Sequence, residues 1–77
     1  DEKSISLYTV ESNIASELET IQNIYLNKNV TIGSYPFFRL GKVGVSVVLR
    51  SDNNLSLVKC YNDIKKMVSF KKIKIFK

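Results

Sequence analysis

Four stretches of period-two alternation and two apolar stripes at helical spacing, ordered β-α-β-β-α-β, predict an α+β fold of two layers. The sheet is expected to be four-stranded and antiparallel, with both helices on one face. Seventy-seven residues make a single domain, residues 1–77, burying only ~60% of the surface its unfolded chain exposes.

Residues 4–10 alternate, with Ile5 and Leu7 on one face and Ser4, Ser6 and Tyr8 on the other. Ser12 is the expected N-cap of the first helix, with Glu17 and Glu19 early in it. Ile14, Leu18, Ile21 and Tyr25 follow at i, i+4, i+7 and i+11, one face of that helix. Asn27-Lys28-Asn29 is a polar turn. Residues 29–38 read as a second strand with Val30 and Ile32 inward. Gly33 interrupts it and Pro36 has no N–H to donate, which predicts an edge strand with a bulge near Gly33. A turn over residues 39–42 pivots on Gly41. Val43, Val45, Val47 and Leu49 then alternate with Gly44, Ser46, Val48 and Arg50, a pattern suited to a central strand. Residues 51–54 offer several N-caps for a second helix, whose stripe is Leu57, Tyr61, Ile64 and Val68 with Cys60 beside it. Residues 71–76 set Lys72, Lys74 and Phe76 against Ile73 and Ile75, a final strand whose lysines guard an edge. The ferredoxin-like sandwich, strand order 4-1-3-2, satisfies each of these inferences. Its core is expected to bury Ile14, Leu18, Ile21, Val45, Val47, Leu49, Ile64 and Ile73.

Composition excludes much chemistry. His is absent and Cys60 is the only cysteine, so neither a zinc site, nor imidazole catalysis, nor an internal disulfide is expected. Gly33, Gly41 and Gly44 are isolated and form no phosphate cradle. Asp52 and Asp63 stand eleven apart and read as helix-surface charges, and Cys60 as a small core hydrophobe. No catalytic, cofactor-binding or metal-binding residue is therefore predicted. The longest apolar run is Val47-Val48-Leu49, too short for a bilayer, and residues 1–3 begin no signal-peptide pattern. A cytoplasmic location is expected. The chain opens on Asp1 rather than Met, as expected of a piece of a longer protein.

The net charge of +5 is uneven: residues 1–38 carry −3 and residues 39–77 carry +8. A Lys-rich solvated face explains this more economically than a nucleic-acid site. The alternative rests on the open sheet face, where Tyr8, Val48 and Phe76 stand among Arg50, Lys72 and Lys74. Rings beside cations are what single-stranded RNA requires. The third strand, however, lacks the aromatics an RNA-recognition motif uses.

Two stretches are more specific. Val30, Ile32, Gly33, Ser34, Tyr35 and Pro36, followed by Val45, Val47, Leu49, Ser51 and Asp52, resemble a small domain of molybdopterin-binding-domain-like proteins. That group includes the N-terminal half of eukaryotic FAD synthases and the N-terminal part of the CinA family. The resemblance covers the whole chain in element order. It implies a C-terminal accessory domain without catalytic residues, attached to a nucleotide pyrophosphatase or FAD-synthase-related parent acting on a dinucleotide or pterin-type substrate. It implies as partner the preceding nucleotide-handling domain of the same chain, or a partner subunit. Gly33, Ser34, Tyr35 and Pro36 are the candidate contact: Pro36 holds Tyr35 extended, with its ring and hydroxyl free for a neighbour. The same four residues read equally well as the end of an edge strand.

Overall fold

The computed structural model describes residues 1–76. Strand β1 (Glu2–Tyr8) leads through a 3-10 turn at Glu11–Asn13 into helix α1 (Ala15–Ile24). Strands β2 (Thr31–Arg39) and β3 (Lys42–Arg50) follow, then helix α2 (Asn54–Phe70) and a two-residue strand β4 (Lys74–Ile75). The strands form one antiparallel sheet in the order β2-β3-β1-β4, so β2 and β4 are its edges. This is the predicted ferredoxin-like sandwich.

Alternation decides which side chains meet the helices. Ile5 and Leu7 of β1 and Val45, Val47 and Leu49 of β3 turn to one face. There they join Ile14, Leu18, Ile21 and Tyr25 around α1 and Leu57, Cys60, Ile64 and Val68 from α2 in one core. The α2 stripe therefore runs through Cys60, and Tyr61 sits on its shoulder, half-buried. Burial pushes the Cys60 thiol up to about 11, with the charge of Asp63 adding to it.

The structure departs from the sequence expectations at four further places. First, α1 has no side-chain cap. Ser12 lies inside the 3-10 turn, whose hydrogen bonds run from Asn13 N–H to the Val10 carbonyl and from Ile14 N–H to that of Glu11. Second, the β2–β3 pairing is unbroken from Thr31↔Arg50 to Arg39↔Lys42, with no bulge at Gly33. The Tyr35 ring lies where a Gly33 side chain would be, its hydroxyl oxygen 2.8 Å from an ideal Cβ position. Gly33 serves side-chain packing instead of backbone bending. Third, α2 closes in a Schellman motif: Lys72 adopts φ 58, its N–H bonds the Ser69 carbonyl, and Ile73 N–H bonds that of Val68. The motif consumes Lys71 and Lys72, so β4 begins only at Lys74 and Ile73 is half-buried rather than central. Fourth, Asp63 is not a simple surface charge. It accepts a 2.6 Å hydrogen bond from the Tyr25 hydroxyl, tying α1 to α2.

One end of the outer edge of β2 is satisfied by a single side chain. Gln22 Nε2 donates to the Val30 carbonyl and its Oε1 accepts from Ile32 N–H, both at 2.8 Å, as a neighbouring strand would. Ile32 N–H thus faces away from β3. Pro36, four residues on in the same register, has its nitrogen on that outer side, where no ladder bond is lost. Asn53 caps α2, its side-chain oxygen accepting from Ser56 N–H at 3.2 Å.

Candidate interaction surface

The sheet face opposite the helices is built by strand parity. Odd residues of β2 pair with even residues of β3, so Gly33, Tyr35, Phe37 and Arg39 share it with Lys42, Gly44, Ser46 and Val48. From β1 come Ser4, Ser6 and Tyr8, and Lys74 and Phe76 lie beside them. Ser6 and Ser46 join their hydroxyls across β1 and β3 at 2.9 Å.

Three rings gather at the end of this face nearer the β2–β3 turn. Tyr8 and Phe76 lie 4.7 Å apart between centroids, and Phe37 meets Phe76 edge-on at 5.5 Å. Such geometries exploit the ring quadrupole. Gly44 makes the cluster possible, since a Cβ there would stand 2.2 Å from the Phe37 ring. Cations sit on the rings: the Arg39 guanidinium is 5.1 Å from Phe37 and 5.0 Å from Phe76, and the Lys42 ammonium is 5.6 Å from Tyr8. Beside them a shallow cleft of about 480 Å³ is lined by Tyr8, Thr9, Val10, Lys42, Val43 and Lys74, with no carboxylate in its wall. At the other end Arg50 is paired to Glu2 at 3.1 Å.

The four residues singled out from sequence divide between the two faces of the sheet. Gly33 lies under the Tyr35 ring, and Tyr35, 53% exposed, lies along the open face. Ser34 points to the helix side and donates to Glu11 at 2.6 Å, anchoring the 3-10 turn to β2. Pro36 is exposed on that same side. Of the residues expected on the open face, Tyr8, Val48, Phe76, Arg50 and Lys74 are there. Lys72 is in the Schellman turn. Sequence reasoning missed Phe37 and Arg39. The expected bulge at Gly33 would have reversed their parity, whereas plain alternation from Ile32 places them correctly.

Among the described residues no group of three or more His, Cys, Asp or Glu is placed to hold a metal ion. No helix of the described residues is long and apolar enough to cross a membrane. A family model described as FAD synthase, middle domain, matches residues 2–77. The chain belongs to the FAD synthase middle-domain family. No curated protein and no solved structure gives a match. The family match spans all the elements of the FAD synthase middle domain seen here, β1 to β4.

Proposed function

We propose that this chain is a non-catalytic accessory domain of a cytoplasmic, FAD-synthase-related protein. In this reading it supports a nucleotide-handling domain of the molybdopterin-binding-like or CinA-like type, acting on a dinucleotide or pterin-type substrate. The observation that carries the proposal is the family match over residues 2–77. The open sheet face supports it, because aromatic side chains held rigidly by neighbours suit an interface. Tyr35 is the contact assigned to the neighbouring domain: it is half-exposed, and its seat on Gly33 fixes its ring without helix contacts. In the natural full-length protein, Tyr35→Ala should lower FAD synthesis or pyrophosphate cleavage several-fold while leaving this domain's thermal melt unchanged. The domain expressed alone should turn over neither FAD nor ADP-ribose. Turnover by the isolated domain that one substitution within it abolishes would refute the accessory role.

A second reading has an observation in its favour. Phe37 and Arg39 join Tyr8 and Phe76 on the open face, giving a basic, aromatic surface of the kind that binds single-stranded RNA.

A further inference from the structure

The turn between β2 and β3 breaks a local rule. Leu40 and Gly41 are its two central residues, with φ of 54° and 75°. Two positive φ values mark a type I′ turn, whose first position favours Asn, Asp or Gly. A leucine there is strained, because its Cβ crowds the backbone in the left-handed region. The strain is not offset by burial, as Leu40 is 86% exposed. A second unfavourable feature adjoins it: Arg39 and Lys42 are directly paired across the strands, like charges opposite one another.

The apolar neighbours of Leu40 are also uncovered. Phe38, 73% exposed, is paired with Val43, 49% exposed. Both lie on the face that packs against helices further along the sheet. Pro36 and Val10 are exposed as well. The hairpin is thus two-sided, with Phe38 and Val43 on the helix side and Arg39 and Lys42 reaching over the rings on the other. Residues 36–45 contain no acidic side chain. Among the described residues, the ion pairs are Arg50–Glu2 and Lys71–Glu17, and neither involves the hairpin tip.

We propose that this hairpin is a protein-docking prong, with Leu40 and Phe38 entering an apolar pocket rimmed by carboxylates on a partner protein surface. Strain kept at a largely exposed apolar residue makes sense where a bound state buries it. The paired cations point to an acidic rim, and they disfavour a second copy, whose own tip would add two more. A one-sided apolar stripe suits sideways packing against a protein better than end-on entry into a bilayer. The inference goes beyond the accessory-domain reading, since it rests on the hairpin tip rather than on Tyr35 and does not require that the partner handle FAD.

The test uses the natural full-length protein in its host cell extract, with Leu40 replaced by the photo-crosslinking residue p-benzoylphenylalanine and, as control, the same replacement at exposed Lys59. Position 40 should cross-link to one peptide, apolar with Asp or Glu beside it, in yield that falls at high salt. Position 59 should not give that product. Leu40→Asn should raise the melting temperature of the full-length protein or leave it unchanged, because Asn suits the turn. It should also lower the yield of the same cross-link, now formed from p-benzoylphenylalanine at position 38, at least tenfold. Cross-links shared with position 59, a cross-link only to another copy's hairpin, or no product would each overturn the proposal. So would co-sedimentation with phosphatidylserine vesicles that Leu40→Asn abolishes, since that would make the prong a membrane anchor.

Discussion

At the scale of single residues, the pairing of Tyr25 with Asp63 has a consequence for stability at high pH. Tyr25 is 5% exposed and donates to Asp63 at 2.6 Å. Burial first, and the Asp63 carboxylate second, push its phenol from the usual 10 up to about 12. Folded protein therefore holds this proton to higher pH than unfolded protein does. The resulting stabilisation is complete below about pH 10 and is lost as pH rises through about 12. Tyr25→Phe removes that dependence, so the urea midpoint of wild type should fall more steeply between pH 10 and 12 than that of the variant. Parallel curves would show that Tyr25 does not titrate in this window. The role of Asp63 was invisible in sequence because its partner lies on the other helix. A lone Asp on a helix reads as a solvated charge until packing supplies a donor.

At the scale of elements, what was legible followed from period. The α1 stripe and the β3 alternation from Val45 to Leu49 predicted their burial, the α2 stripe did so except at Tyr61, whose place Cys60 takes, and Val43 at the start of β3 is exposed. The Pro36 and lysine signals placed β2 and β4 at the edges. What failed depended on contacts between elements. Gly33 suggested a bulge, but the Tyr35 ring explains it; Ser12 offered a cap, but the 3-10 turn satisfied the same amides from its own backbone. Lys72 looked like strand and became the left-handed end of α2, a place more often given to glycine. Gly44 shows the same lesson with a measurable effect. A Cβ there would stand 2.2 Å from Phe37 Cζ and 2.8 Å from the Leu7 carbonyl of the adjacent strand. The ring would have to leave its contacts with Phe76 and Arg39, and the carbonyl is held in the β1–β3 ladder. Gly44→Ala should therefore cost ~1–3 kcal/mol by overpacking. In a domain this size that lowers the melting temperature by several degrees. A melt within one degree of wild type would mean that the strands part more easily than their register suggests.

At the scale of the whole molecule, the ring cluster of the open face sits among three cations, Arg39, Lys42 and Lys74. Whether that makes an RNA platform depends on what the rings are free to do. Stacking on a base needs an open ring face and contributes ~1–3 kcal/mol per base. Here Tyr8 and Phe76 lie against each other, Phe37 abuts Phe76, and the Arg39 guanidinium covers both phenylalanines. The cations are better placed than the rings to meet an incoming strand. Binding to single-stranded RNA should then be weak and driven by counterion release. With Arg39, Lys42 and Lys74 as about three phosphate contacts, a slope of about −0.7 per contact predicts a roughly twentyfold loss of affinity from 50 to 200 mM salt. Tyr8→Ala and Phe37→Ala should change that affinity little, whereas Lys42→Ala should flatten the slope by about one contact. Fluorescence anisotropy with a labelled oligouridine, at both salt concentrations and with all three variants, separates the cases. Tight binding at physiological salt that either ring variant weakens tenfold would make the open face an RNA-reading surface. Salt-steep binding indifferent to the rings leaves it as a face for protein contact, the role that the exposed Tyr35 already suits.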